Sequence, residues 1–178
     1  MFYIIIGQSG AGKTTFVKTN FLVEPITIVD DIIPYSRFSN GIIALGKYGI
    51  GKRTEGTDTL SYSAKNKIKK ILKSFAEKRL DVVLEGDRIN NKEILDYIST
   101  LGVPCKMYLV TCSLETSMRR LRAAGSKITL SFVKATKTKS MKNYLEYQSR
   151  FDGEIILNEE VRNENSNYAD TGHSSCTV

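Results

Sequence analysis

Apolar positions along this chain fall into two spacings. Nearly continuous runs occupy 2–6 (FYIII), 26–29 (ITIV), 42–45 (IIAL), 80–84 (LDVVL) and 105–110 (CKMYLV). Runs this short and this apolar suit strands covered on both faces. The segment 63–78 has helical spacing instead: Ile68, Ile71, Leu72, Phe75 and Ala76 fall on one face and the lysines on the other. Helices are also predicted over 13–20, over 91–101, where Gly102 and Pro104 stop the run, over 114–124 before Gly125, and over most of 131–151. A last edge strand is predicted over 154–157. Pro25 and Ser39-Asn40-Gly41 punctuate the chain, and 46–56, with four glycines, reads as a loop. Strands alternating with helices predict βαβ units. The expected fold is α/β, with three layers and a mainly parallel sheet flanked by helices. It forms one domain over 1–162, followed by a polar, flexible tail over 163–178.

The first strand runs directly into Gly7-Gln8-Ser9-Gly10-Ala11-Gly12-Lys13-Thr14, which fits G-x-x-x-x-G-K-[ST]. A strand before the motif and a helix after it supply the context that a phosphate cradle needs. Loop N–H groups turn inward on phosphate oxygens, and the helix N-terminus adds partial positive charge. Gly7, Ser9, Gly10, Ala11, Gly12, Lys13, Thr14 and Thr15 are therefore the expected nucleotide-binding residues. Lys13 is expected to reach the β- and γ-phosphates, and the Thr14 hydroxyl to ligate Mg²⁺. The alternative is a chance glycine-rich turn.

Size and charge narrow the class. The chain has 178 residues and 41% apolar content, enough for one domain with a core. No run of eighteen apolar residues is present, so no membrane span is expected. Run 2–6 lacks a basic leader and reads as a strand, not a signal segment. Cys105, Cys112 and Cys176 lack metal-ligand spacing, which fits reduced thiols and a cytoplasmic location. Net charge is +7, and segment 116–142 carries eight basic residues and no acidic one. After Phe151 the balance reverses. A basic stretch favours polyanionic partners, although a solvated helix surface explains much of it.

A GTPase would carry D-x-x-G and N-K-x-D, and neither is present. A motor or helicase would be longer. The compact alternative, a kinase, needs an acid near the acceptor hydroxyl and cations around the transferring phosphoryl group. Asp30 and Asp31 follow the second strand and are candidates for the first role; a helix cap or turn is the bland alternative. Arg119 and Arg122 are three apart on one helix face and are candidates for the second. Glu85 ends the third buried strand and is expected to hold Mg²⁺ through its hydration shell, with Asp87 and Arg88 facing the acceptor. Asp58 is either a proton acceptor in place of Asp30 or a helix cap. Lys47 and Arg53 extend the basic track. Tyr35, Phe38, Tyr48 and Tyr62 are candidates for base stacking or for core packing.

Ile28-Val29-Asp30-Asp31 resembles the aspartate pair after the second strand in polynucleotide-kinase-like enzymes. The helix bearing Arg119, Arg120 and Arg122 is similar to the one entering the lid of nucleoside monophosphate kinases, which implies a lid over about 119–142. Gly46-Lys47-Tyr48 followed by Gly56-Thr57-Asp58-Thr59-Leu60-Ser61 resembles a phage family of small P-loop kinases. That family includes enzymes that phosphorylate 5-hydroxymethyluracil in DNA. The resemblance implies an ATP- and Mg²⁺-dependent phosphotransferase acting on a nucleotide or DNA hydroxyl, in the host cytoplasm, as a monomer or small homo-oligomer without membrane partners. A nucleoside monophosphate kinase, a small-metabolite kinase and an ATP- and DNA-binding module without transfer stay open.

Overall fold

The computed structural model describes residues 1–49 and 55–159, apart from the side chain of Tyr62. The expected tail and Arg53 lie outside the described residues. In chain order the elements are β1 (Phe2–Ile6), α1 (Lys13–Asn20), β2 (Ile26–Val29), β3 (Tyr35–Phe38), β4 (Ile43–Leu45), α2 (Lys65–Glu77), β5 (Val82–Glu85), α3 (Lys92–Ser99), β6 (Cys105–Thr111), α4 (Leu114–Ala123), α5 (Leu130–Tyr147) and β7 (Gly153–Leu157). Two short 3₁₀ turns, Thr57–Thr59 and Tyr62–Ala64, precede α2.

One seven-stranded sheet carries the fold, in the order β2-β3-β4-β5-β1-β6-β7. Strands β4, β5, β1, β6 and β7 are mutually parallel, and only β3 runs against its neighbours. This is the expected α/β architecture with a mainly parallel sheet flanked by helices. The sheet's registers bring Phe2 beside both Val82 and Cys105.

Alternation along β1 divides the core. Phe2, Ile4 and Ile6 join Val82, Leu84, Met107 and Leu109 in a cluster completed by α2, α3 and α5. Ile5, Val83, Val110 and Ala44 face the other way, toward Val17 and Phe21 at α1. Ile4, Ile5 and Ile6 are wholly buried, each contributing about 1.5–3 kcal/mol relative to exposure. The amphipathic pattern of 63–78 matches α2, whose buried positions are Ile68, Ile71, Leu72 and Phe75.

Strand β3 is the element the pattern did not predict. It pairs antiparallel with β2 and β4, and the Asn40-Gly41 turn joins it to β4. Tyr35, Phe38 and Tyr48 are buried. Tyr35 packs edge-on against Phe75 and Phe38 against Tyr48, so these three rings belong to the core and do not stack on bases.

Among the described residues, no helix is long and apolar enough to cross a membrane. Cys105 and Cys112 are free thiols, and burial pushes the Cys105 thiol up to about 11.

Candidate functional site

The loop between β1 and α1 is fixed from beneath. Gln8 is buried; its Nε2 donates to Cys112 O at 2.7 Å and to Ser117 Oγ at 3.2 Å, while Thr111 Oγ1 donates to its Oε1 at 3.0 Å. This amide fastens the loop to the end of β6 and to α4. Asn158, just beyond β7, donates from Nδ2 to Ala11 O at 2.8 Å. Gly12 caps α1 with φ 89°, in the left-handed region, and no side chain caps that helix end. A side chain at 12 would be strained and would also collide with Asn158 Nδ2. The first-turn N–H groups of α1 therefore stay available to an anion.

Above the loop lies a cavity of about 510 Å³. Ser9, Gly10, Gly12, Lys13, Thr14 and Thr15 line its floor. Asp58 and Glu85 stand on one wall, and Arg120, Leu121, Ala124, Ser126 and Ile128 form the other. Lys13 Nζ donates to Gln8 O at 3.1 Å, folded over the loop. Thr14 Oγ1 lies 3.3 Å from Glu85 Oε1.

Glu85 is 2% exposed, and its two oxygens have separate partners. Oε2 accepts from the Tyr48 hydroxyl at 2.9 Å, and Oε1 faces Thr14. Burial holds its carboxyl up at about 7; Asp58 pushes the same way, while Lys13 and the bonds from Tyr48 and Thr14 oppose it. The Tyr48 hydroxyl is raised well above its usual value, by burial first and then by Glu85.

The turn carrying Asp58 is interlocked with this strand end. Thr57 Oγ1 donates to Glu85 O at 2.5 Å. Gly56 has φ 66°, and a Cβ there would collide with Glu85 Oε2 and lie 2.7 Å from the Tyr48 hydroxyl. Only a glycine lets this turn approach so closely. The preceding segment is anchored as well: Lys47 bridges to Gly56, and buried Glu55 pairs with Lys18 of α1 at 2.5 Å.

Mg²⁺ suits this donor set. Among the described residues, no group of three or more His, Cys, Asp or Glu could hold a metal ion. A hydroxyl and one carboxylate, with phosphate oxygens and waters completing the shell, is the pattern of magnesium and not of an all-protein cage. Thr14 and Glu85 are the residues that would hold it.

No family model and no curated protein matches this chain. Among solved structures, deoxyadenosine kinase from M. mycoides with bound dATP is similar at 12% identity and TM-score 0.42, over 88% of this chain and 91% of that one. The same enzyme with the products dCMP and dCDP is similar at 13% identity and TM-score 0.41, over 88% and 90%. Likeness at that distance carries neither the fold nor the chemistry, which rest on the geometry above.

The other expected residues fall in three places. Asp30 is on the surface at the sheet edge, paired with Lys47 at 3.1 Å, and Asp31 Oδ1 accepts from the N–H of Ile32. Neither lines the cavity. Arg119 and Arg122 do share a face, but that face lines a groove with Met118, Leu130 and Lys134. Arg120, not singled out from the sequence, takes the cradle side, with Nη1 3.4 Å from both Gly10 O and Ala11 O. Asp87 pairs with Lys139 of α5 at 2.9 Å, and Arg88 Nε donates to Leu60 O at 3.3 Å.

The segment over about 119–142, expected to form a lid, comprises the end of α4, a connection over 124–129 and most of α5. Helix α5 reaches the loop directly, since Thr136 Oγ1 accepts from the N–H of Ser9 at 3.4 Å. Thr136, Ser140 and Asn143 are buried along α5, and Asn90 bonds both Ser140 and Asn143. This polar seam has a sequence signal: 136, 140 and 143 share helical spacing, yet their residue types do not announce burial.

Proposed function

We propose that this protein is an ATP-dependent phosphotransferase that moves the γ-phosphoryl group to a hydroxyl of a nucleotide or nucleic acid. The observation carrying this reading is one cavity in which Lys13, the uncapped end of α1, Thr14, Glu85, Asp58 and Arg120 meet. A nucleotide triphosphate supplies the charge that so many donors are arranged to receive.

In this reading Lys13 leaves Gln8 O and binds the β- and γ-phosphates, while first-turn N–H groups hold the same oxygens. Arg120 enters from α4 and offsets charge on the transferring group. Leu121, Ala124 and Ile128 offer the apolar side of the cavity to the base. Mg²⁺, held through Thr14 and Glu85, would supply charge neutralisation at the phosphates. Asp58 orients the acceptor hydroxyl and takes its proton. The acceptor oxygen then bonds to Pγ, the bond from Pγ to the β–γ bridging oxygen breaks, and ADP leaves. Asp58 is favoured over Asp30 and Asp31 because it lines the cavity.

The acceptor that the sequence resemblance implies is 5-hydroxymethyluracil in DNA, with a deoxynucleoside monophosphate as the alternative. An assay with γ-labelled ATP separates them. Label in hydroxymethyluracil-containing DNA supports the first, and label on free monophosphates supports the second. Absence of transfer to these acceptors and to nucleosides, by protein that binds ATP, would sink the phosphotransferase reading.

A further inference from the structure

The N–H groups of the loop are the donors a phosphate cradle needs, and one of them already has an acceptor on another element. Ser9 lines the cavity floor, and its N–H donates to Thr136 Oγ1 at 3.4 Å. Lys13 Nζ and Arg120 Nη1 also donate to oxygens nearby, but those oxygens, on Gln8, Gly10 and Ala11, belong to the loop itself. Thr136 belongs to α5, 127 positions away in the chain. The bond from Ser9 therefore joins the nucleotide site to a separate helix.

Thr136 is set as an acceptor and held in place. Its own hydroxyl proton goes to Val133 O at 3.0 Å, which leaves lone pairs for Ser9. Its carbonyl accepts from Ser140 Oγ at 2.7 Å. Asn90 Nδ2 donates to Ser140 Oγ at 2.9 Å, and Asn143 Nδ2 donates to Asn90 Oδ1 at 2.7 Å. Thr136, Ser140, Asn143 and Asn90 are all buried. Asn90 is in turn fixed just past Glu85, since its N–H donates to Gly86 O at 3.1 Å. A second tie lies one residue along α5: Lys137 Nζ donates to Cys112 O at 2.9 Å, the carbonyl that Gln8 Nε2 also uses. A buried network bonded in this way keeps the Thr136 oxygen in one position. The contact with Ser9 is long for an N–H···O bond, so it is the link that yields first.

We propose that Thr136 is a positioning residue that competes with the nucleotide's phosphates for the Ser9 N–H. A phosphate oxygen that takes this hydrogen exchanges a long neutral bond for a charge-assisted one, while Thr136 keeps its bond to Val133 O. The hydroxyl thus stabilises the loop in nucleotide-free protein and adds nothing once phosphate is bound. It lowers the affinity of the cradle, and by the same coupling nucleotide binding releases the loop from α5. The inference rests on the reading of the cradle as the nucleotide site.

Binding and unfolding test it together. Wild type, Thr136→Val and Thr136→Ser are titrated calorimetrically with a non-hydrolysable ATP analogue and Mg²⁺, and each is unfolded in urea with and without saturating analogue. In Thr136→Val the Ser9 N–H loses its acceptor only in nucleotide-free protein, so the analogue should bind about three- to tenfold more tightly. By linkage, adding the analogue should raise the variant's unfolding midpoint more than it raises that of wild type. Thr136→Ser keeps the hydroxyl and should match wild type in both measurements. Thr136→Ala gives the same readout if the valine variant fails to fold. Unchanged or weaker binding in the variants that lack the hydroxyl overturns the competition, as does equal tightening in the serine variant. A purely structural hydroxyl would change stability equally with and without the analogue and leave affinity alone. No binding by wild type would refute the cradle as the nucleotide site, and this inference with it. Tighter binding by Thr136→Val with no transfer of labelled phosphate by wild type would refute the phosphotransferase reading and leave the competition standing.

Discussion

Two carboxylate pairs stand at the carboxyl edge of this sheet, and their surroundings are opposite. Asp30 and Asp31 follow β2, the outermost strand, with Asp30 73% exposed at its side chain and paired to Lys47. Asp58 and Glu85 flank the cradle, and Glu85 is 2% exposed with bonds to Tyr48 and Thr14. The strand order explains the contrast. Glu85 ends β5, next to β1, whereas β2 lies four places from β1, about 19 Å at the usual strand spacing. An acid at the end of a strand acquires chemistry from the rank of that strand in the sheet, not from its rank in the sequence.

The comparison is broken most forcefully at the cradle itself. Lys13→Ala should lower γ-phosphoryl transfer by about a thousandfold, with far-ultraviolet circular dichroism unchanged. Retained activity would remove the cradle from the reaction. Next, Asp58→Asn should lower kcat by about 10²–10⁴ while ATP-analogue affinity holds. A variant that keeps kcat would return the proton-accepting role to another group.

Tyr48→Phe sharpens the contrast on the stability axis. It removes the only hydroxyl donating to Glu85 Oε2 among the described bonds. Urea unfolding should show a loss of about 1–3 kcal/mol, the cost of a buried acceptor left without its donor. Smallest of all, Asp30→Asn should change stability by less than about 1 kcal/mol, as befits an exposed pair. Asp30→Asn and Asp31→Asn should also leave kcat within a factor of about three in the transfer assay. A large loss in either variant would mean that the edge of the sheet reaches the reaction after all.

What the sequence made legible follows the same division. The 2–6 run, the G-Q-S-G-A-G-K-T loop and the first helix are local patterns, and each appears with the expected bounds. The amphipathic period of α2 and the apolar run of β5 are equally local. Strand order is not: β1 pairs with residues some eighty and a hundred positions away, and nothing near Phe2 encodes that choice. Strand β3 was missed because Tyr35-Ser36-Arg37-Phe38 is neither a continuous apolar run nor a clean alternation; Ser36 is buried, donating to Gly46 O. Arg120 was passed over for Arg119 and Arg122 because helical spacing tells which residues share a face, not which face meets the loop. For Tyr48 the sequence leaves stacking and core packing both open, and only packing turns its hydroxyl onto Glu85.

The distance along the chain between β1 and its partners also orders events during synthesis. The cradle sequence is made before β5 and β6, yet β1 has no described hydrogen-bonding neighbour until residues 82–85 and 105–109 exist. Closing loops of that length costs entropy that local contacts cannot offset. A nascent chain that has not reached β6 carries every residue of the phosphate motif without the sheet that shapes it. Gln8 would likewise lack Thr111, Cys112 and Ser117, the partners that hold the loop open. Nucleotide capture by a growing chain is therefore a report that the centre of the sheet has closed, and the cradle becomes functional only after segments made later than itself.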